Sequence, residues 1–157
     1  MYTTEGIILK KIDAGEADAF FTIYTKDFGK IRALAQGVKK STAKLKGHLE
    51  ALNFSAVSFV LGRRGERLTQ ATLIESWPSV RANYDKFVAA YQVADLFDKG
   101  CLVGEKDEPL WNLLHGALDS LEVWSDFSEK ARDDFLRGFE LRLSHSLGYG
   151  PEAHSWN

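Results

Sequence analysis

Residues 19–36 read AFFTIYTKDFGKIRALAQ, and this stretch decides the class of fold. Ala19–Thr25, a run rich in β-branched and aromatic residues, and Lys30–Gln36, an alternating run, enclose a short turn that ends at Gly29. In the second run, the apolar residues at positions 31, 33 and 35 alternate with Arg32, Leu34 and Gln36. Short alternating runs joined by a tight turn predict antiparallel strands.

The segments on either side extend this pattern to an all-β module. The five predicted strands are Glu5–Ile12, Ala19–Thr25, Lys30–Gln36, Ser55–Leu61 and Arg67–Ser76. In the fourth strand, Val57, Phe59 and Leu61 are expected to share one face, opposite Ser58 and Val60. Most connections are short turns, but residues 37–47 form a longer link rich in Lys, Ser and Thr. Five short strands of this kind predict a small OB-type β-barrel, in which such loops flank the binding face.

At Trp77-Pro78 the hydrophobic period changes from two to about three and a half, which predicts helices. Three amphipathic stripes follow, each expected to face a helical core. They consist of Val80, Tyr84, Phe87, Val88, Tyr91 and Phe97; of Leu110, Leu113, Leu114, Ala117, Leu118 and Leu121; and of Ala131, Phe135, Phe139, Leu143 and Leu147. Ser128 is the expected cap of the third helix, and Gly148 its stop. The expected class is therefore α+β: a five-stranded OB-fold barrel in residues 1–77, followed by a helical domain in residues 78–157.

The net charge of −2 combines two very different halves. Residues 1–76 carry twelve Lys and Arg against eight Asp and Glu, whereas residues 77–157 carry eight against fourteen. Between Gly29 and Leu49 there are six cations and no acidic residue. A charge run alone is more often a solvated loop, but beside an OB-type face it is suited to hold phosphates. The expected backbone contacts are Lys30, Arg32, Lys39, Lys40, Lys44, Lys46, Arg63 and Arg64.

Aromatic side chains in the first half are candidates for stacking on bases. Exposed rings bind single strands with little regard to sequence, because every base has a flat face. Tyr24 and Phe28 are the expected stacking residues, with Phe20 also considered, although some of these rings must fill the barrel.

Motifs for other chemistry are missing from the sequence. The four histidines are scattered without metal-ligand spacing, and the single Cys101 has apolar neighbours, so neither a metal site nor a reactive thiol is predicted. Phosphate-binding loop, dinucleotide fingerprint and nucleophile elbow are all lacking, so neither a cofactor nor an enzyme is predicted. No run of ~20 apolar residues or signal peptide is recognisable, which leads us to expect no membrane association and a cytoplasmic protein.

With these elements placed, the first half resembles the amino-terminal domain of the RecO family of recombination mediators. The matching segments are residues 4–10 (TEGIILK), 15–18 (GEAD), 24–25 (YT), 28–32 (FGKIR), 35–40 (AQGVKK) and 45–49 (LKGHL). Residues 139–143 (FELRL) and 147–150 (LGYG) are similar to a helix end and glycine turn of the family's helical domain. Family members usually continue beyond that turn, often through a cysteine-bearing zinc module that has no counterpart before Asn157.

The resemblance implies a function without covalent chemistry. RecO-like proteins bind single-stranded and duplex DNA, anneal complementary strands and, together with RecR, help load RecA onto strands covered by single-strand-binding protein. The resemblance also implies association with the nucleoid. RecR and single-strand-binding protein are therefore the expected partners. The acidic tail of the latter would need an apolar groove rimmed by cations, for which Arg132, Arg137 and Arg142 are available in the helical half. Two alternatives stay open: an OB-fold RNA-binding protein, and a protein-interaction module that binds no nucleic acid.

Overall fold

The computed structural model describes residues 1–39, 45–63 and 65–148, with the side chain of Lys46 left out. It divides into two compact units, which are described separately. The first unit combines Met1–Ser76 with Val103–Asp107, and the second combines Trp77–Leu102 with the chain from Glu108 onward. The short segment at 103–107 returns to the first unit, which a single boundary at Trp77 does not anticipate.

The first unit is a closed five-stranded barrel. Its strands are β1 (Tyr2–Asp13), β2 (Ala19–Thr25), β3 (Gly29–Ala35), β4 (Phe54–Gly62) and β5 (Gly65–Glu75). They are ordered β1-β2-β3-β5-β4, with β4 pairing back onto β1. All pairs are antiparallel except β3 and β5, which are joined in parallel where Leu34 meets Arg67. The predicted five-stranded OB-type barrel is confirmed.

The barrel is filled from the inner positions of each strand. In β3, Ile31, Ala33 and Ala35 are buried and alternate with exposed Arg32, as predicted. In β4, Val57 and Phe59 also belong to the core, but Leu61 is 66% exposed. Leu61 follows the right alternation but lies next to the β4–β5 hairpin, so it extends past the end of the core.

The second unit contains four helices where the sequence predicts three. They are α1 (Pro78–Ala82), α2 (Tyr84–Gly100), α3 (Glu108–Val123) and α4 (Glu129–Ser146). Asn83 separates the first two, because its backbone is extended and its side chain caps α2 by accepting from the amide of Lys86. The predicted ends of α4 are confirmed: Ser128 accepts from the amide of Ala131, and Gly148 has a φ of 86°.

The predicted core stripe of α2 is wrong for three of its four aromatic members, whereas the fourth, Phe97, is buried as predicted. Tyr84 is 78% exposed, Phe87 37% and Tyr91 56%. The buried residues of this helix lie on another face, formed by Lys86, Ala89, Ala90, Val93, Ala94 and Phe97. Alanines let helices approach closely, so packing selects the side on which four alanine and valine residues accompany Phe97 and leaves the other three rings outside. No helix within residues 1–39, 45–63 and 65–148 is long and apolar enough to cross a membrane.

Candidate nucleic-acid interface

A row of side chains crosses the outer face of the barrel on four strands. Phe20 pairs with Ile12 of β1 on one side and with Leu34 of β3 on the other, and Leu34 pairs in turn with Arg67 of β5. Paired residues point to the same side of a sheet, and the strand neighbour Phe21 lies in the core. The row therefore faces outward and presents an apolar strip that ends in a cation.

A second, more polar row lies one step along the same strands. Thr22 is flanked by Lys10 on β1 and by Arg32 on β3. The pairing of β1 shifts at Leu9, and this bulge brings Lys10 to the outer side. With ~4.8 Å between neighbouring strands, the Cα atoms of Lys10 and Arg32 are about 10 Å apart. Both side chains are exposed, so two cations border the strip of the first row.

Arg32 and Phe20 interact directly. The guanidinium carbon of Arg32 lies 5.9 Å from the centroid of the Phe20 ring, which is within range of a cation–π contact. The ring is only half-buried. The pair thus combines a positive charge for a phosphate with a flat surface for a base.

These rows open into a groove of about 500 Å³, which we call the strand-face groove. Its floor includes Phe20 and Leu34, with Arg67 along one side. Asp18 of the β1–β2 turn lines one end, and Arg63 of the β4–β5 hairpin lines the other. The face of strands 2 and 3, bordered by these two connections, is where OB-type barrels bind oligonucleotides.

The β1–β2 turn is held in place by the residues that follow β3. The carboxylate of Asp18 accepts from the amide of Gly37 at 2.7 Å, and the amide of Lys39 donates to the carbonyl of Ala17 at 2.9 Å. The ammonium of Lys39 donates to the carbonyl of Gly15 at 2.6 Å and lies 3.6 Å from the Asp13 carboxylate. Lys39 therefore stabilises the β1–β2 turn, which lines the groove. Its ammonium group is paired with groups of the protein itself.

The structure separates the other predicted cations. Arg63 is exposed and lines the strand-face groove, and Arg32 is exposed and contacts Phe20 of its floor. Lys30 is half-buried and belongs to a different cleft on the same unit, described below. Three predicted contacts, Lys40, Lys44 and Arg64, lie outside the described residues, as does the side chain of Lys46.

The predicted stacking residues also differ in placement. Tyr24 is only 2% exposed, so its ring is not available to a base. Phe28 is half-buried at the β2–β3 turn and contacts the rings of Tyr2 and Phe59, each at 5.5 Å between centroids. At ~3.3 Å per residue, the length of β2 separates it from Phe20 by about 20 Å. Of the three rings considered, only Phe20 is on the groove.

Lys10 and Arg67 are missed by sequence reasoning. The predicted contacts come mainly from the stretch between residues 29 and 49, because it contains no acidic residue. Lys10 and Arg67 lie outside it, on β1 and β5. Strand alternation is a signal for Arg67, which is next to the core residue Leu68, but not for Lys10, which reaches the outer side only through the bulge after the core residue Ile8. Arg67 also donates to the side chain of Gln36 at 3.3 Å, which anchors it beside β3.

The three arginines predicted to face a protein partner have different surroundings. Arg132 lies within 3.1–3.7 Å of three carboxylates, those of Asp85, Asp133 and Glu129. Arg137 is exposed and lies 3.7 Å from Asp134. Arg142 lines a groove of the helical unit.

That groove, of about 530 Å³, lies between α3 and α4. Its walls include Leu113, Phe135 and Phe139. Gly116 and Gly138 face open space in it, since a Cβ added at either position would meet no atom within 4 Å. The helical unit therefore presents an apolar groove with Arg142 at its edge.

A metal ion needs a cluster of ligating side chains. In the described part of the chain, no group of three or more His, Cys, Asp or Glu residues is close enough to hold one. Cys101 is 5% exposed.

Comparisons with known proteins agree with this architecture. Residues 1–77 match the family model described as "Recombination protein O N terminal". The chain is 32% identical over 154 residues to the DNA repair protein RecO of Roseiflexus sp. strain RS-1, covering 98% of this chain and 52% of that protein. It is 33% identical over 153 residues to the DNA repair protein RecO of Rubrobacter xylanophilus, covering 96% and 59%. The DNA repair protein RecO of Dehalococcoides mccartyi strain BAV1 is 32% identical over 151 residues, with coverage of 96% and 58%.

The chain spans a little over half the length of these relatives. The matches nevertheless run through both the barrel and the helices, since each alignment covers at least 96% of this chain. The chain belongs to the RecO family, and its barrel is the family's amino-terminal domain.

Proposed function

We propose that this chain acts in DNA repair by binding single-stranded DNA along the strand-face groove, without catalysing a reaction. The observation that carries the proposal is the Arg32 guanidinium lying over the half-buried Phe20 ring on the outer face of an OB-type barrel. The charged group can bind the phosphate of a nucleotide, and the flat apolar ring can stack on its base.

The groove supplies further backbone contacts around this pair. Lys10, Arg63 and Arg67 are all exposed and border the strip formed by Phe20 and Leu34. Bases would pack on the apolar strip while the cations contact phosphates. Such contacts carry little sequence information, so binding is expected to be general.

The lysine-rich segment after β3 extends this surface in our proposal. Lys40, Lys44 and Lys46 follow Lys39 closely in sequence, and Lys39 braces one end of the groove. Additional cations increase the number of neutralised phosphates and strengthen the dependence of binding on salt. Arg64, next to Arg63 in the hairpin, is proposed to act in the same way.

Recombination mediation is the activity that this binding mode would serve. A protein that holds two strands by their phosphates leaves the pairing edges of the bases free, which favours annealing and is compatible with duplex DNA. Assistance to RecA loading, cooperation with RecR and nucleoid association are proposed from membership of the RecO family. The named relatives are DNA repair proteins.

The tail of single-strand-binding protein is proposed to bind between α3 and α4. The apolar walls suit its apolar tip, and the guanidinium of Arg142 suits its acidic residues. Asp134 also lines this groove and would oppose an acidic ligand, so a weak complex is expected. Titration calorimetry with the tail peptide should give heat that is lost in Arg142→Ala and kept in Arg137→Ala.

RNA is the alternative ligand for the same groove. The contacts proposed above involve phosphates and base faces, which RNA also offers, and none requires the absence of a 2′-hydroxyl group. Anisotropy of a labelled single-stranded DNA, competed with unlabelled DNA or RNA of equal length, distinguishes the two. DNA competing more strongly supports the proposal, whereas preferential displacement by RNA favours RNA binding.

A function confined to protein interaction is the alternative of another class. The acidic residues concentrated in the helical half would then contact partners, and the barrel would be a scaffold. Absence of single-strand binding even at low salt, together with a robust complex with RecR, would replace our proposal by this one.

A further inference from the structure

A second cleft lies on the barrel unit, beside the β2–β3 turn. It has a volume of about 470 Å³ and is lined by the start of β1, the β2–β3 turn, the end of β4 and the segment after Val103. Three aromatic rings meet there: Tyr2, Phe28 and Phe59. We call it the aromatic cleft.

The rings are arranged to support a flat ligand. Tyr2 stacks on Phe59 with 5.4 Å between centroids and an angle of 24°, and Phe28 meets both rings edge-on. Phe59 is buried at 4% exposure and fixes the position of Tyr2, which is 43% exposed. The accessible surface of Tyr2 thus rests on the barrel core and costs little conformational entropy on binding.

The segment at 103–107 fixes the opposite side of the cleft. Val103 forms a parallel bridge with Lys30, and the amide of Gly104 donates to the carbonyl of Lys30 at 3.4 Å. Gly29 has a φ of 66° and packs so closely under the Glu105 carbonyl that a side chain would not fit. The cleft therefore has two structured walls.

The charges at the cleft are unlike those of the strand-face groove. Two lysines, Lys30 and Lys106, are offset by three carboxylates, Asp27, Glu66 and Glu105. This balance does not favour a phosphate. Carboxylates accept hydrogen bonds from amino groups, such as the exocyclic amine of cytosine or adenine.

The two sites adjoin each other. Leu61 and Glu66 line both the strand-face groove and the aromatic cleft, and the side chain of Leu61 is 66% exposed between them. A strand leaving the groove at the β4–β5 hairpin therefore reaches the aromatic cleft without crossing another element of the barrel.

We propose that the aromatic cleft receives unpaired bases of the strand whose backbone lies in the strand-face groove, and that it prefers bases with an exocyclic amino group over thymine. This inference rests on the proposed function, since it concerns the continuation of the same strand. The stacking is supplied by Tyr2 and Phe28, and the discrimination by Glu66 and Glu105.

The test measures anisotropy of labelled oligonucleotides of two lengths and two compositions. Oligo-dC and oligo-dT of about 5 and about 15 nucleotides are suitable, because an OB fold occupies ~4–16 nucleotides. Wild type is compared with Tyr2→Ala/Phe28→Ala. The matched control, Tyr84→Ala/Tyr91→Ala, removes two exposed rings from α2.

The double variant at the cleft is expected to lose about 5- to 100-fold in affinity for the long oligo-dC, the factor for one stacked base. Its loss on the short oligonucleotides should be much smaller, and the control should bind as wild type does. Glu105→Ala should bring the affinities for long oligo-dC and oligo-dT closer together, since thymine lacks the amino group.

Two results would contradict the inference in distinguishable ways. If wild type binds both lengths and the Tyr2→Ala/Phe28→Ala variant binds the long oligo-dC equally well, the cleft takes no base and the proposed function stands. If wild type binds no oligonucleotide, the proposed function fails and the inference with it. Because Phe28 contacts the core, Tyr2→Ala alone is measured as well; a well-folded Tyr2→Ala variant with undiminished affinity for the long oligo-dC overturns the inference.

Discussion

The guanidinium of Arg32 lies over the ring of Phe20, 5.9 Å from its centroid, although the two residues belong to different strands. Phe20 pairs with Leu34, so Arg32 reaches the ring diagonally from two residues away on β3. This relationship places a fixed positive charge and an aromatic surface on one face of the barrel.

Replacing Phe20 with Ala is expected to weaken single-strand binding by ~1–3 kcal/mol, the loss of one stacked base, while the salt dependence stays nearly unchanged. The ring is half-buried, so the free energy of unfolding should fall by only about 1 kcal/mol. Anisotropy titrations at several salt concentrations measure both binding quantities. Unchanged affinity of a folded Phe20→Ala variant would place the bases elsewhere.

Lys39 is expected to behave differently from the lysines that follow it. Replacing Lys40, Lys44 and Lys46 with Ala should flatten the log–log salt slope by about 2, at ~0.7 per phosphate contact. Lys39→Ala should instead lower the free energy of unfolding by about 1 kcal/mol, because its ammonium donates to the Gly15 carbonyl. Thermal melts and salt titrations of both variants separate the two roles, and a stable Lys39→Ala variant with a flatter slope would assign Lys39 to the DNA instead.

Gly29 is expected to tolerate no side chain. Its φ is 66°, and a Cβ would meet the carbonyl of Glu105, so Gly29→Ala combines backbone strain with a clash and should cost ~1–3 kcal/mol of stability or more. Gly47→Ala is the control, since a Cβ there meets nothing within 4 Å and its φ is not positive. Equal thermal stability of the two variants would contradict the close approach of the 103–107 segment to the β2–β3 turn.

Substitutions of two aromatic residues test which face of α2 packs into the core. Phe97 is fully buried, so Phe97→Ala should cost ~3–5 kcal/mol. Tyr84 is 78% exposed, and Tyr84→Ala should change stability by no more than about 0.5 kcal/mol. Chemical denaturation measures both, and a large loss in Tyr84→Ala would restore the stripe predicted from the sequence.

Sequence patterns predicted the barrel well because alternation and turns are local signals. Ala19–Thr25 is predicted with its observed bounds, and the other strands differ by a few residues at their ends. The buried face of α2 was not predictable in the same way, because this helix has apolar residues on two sides. Only the neighbouring helices decide that Ala89 and Ala90 are covered and Tyr84 is not.

The candidate site was predicted in part for a related reason. Arg32 and Arg63 stand out as cations in or near loops, whereas Lys10 joins them only through strand pairing across Thr22. The role of Lys39 depends on hydrogen bonds to a turn 24 residues earlier in the chain. Contacts of this kind are set by tertiary structure and leave no local pattern.

We propose above all that the outer face of β1, β2, β3 and β5 holds the strand, and the most direct test is the salt slope of a triple variant, Lys10→Ala/Arg32→Ala/Arg67→Ala. The control removes three cations from the helical unit instead, as Lys99→Ala/Lys130→Ala/Arg137→Ala, so both proteins have the same net charge. We predict that the barrel variant flattens the log–log slope by about 2 and weakens binding of all sequences alike, while the control stays within about 0.5 of the wild-type slope. Equal slopes and affinities for the barrel variant and wild type would contradict the account.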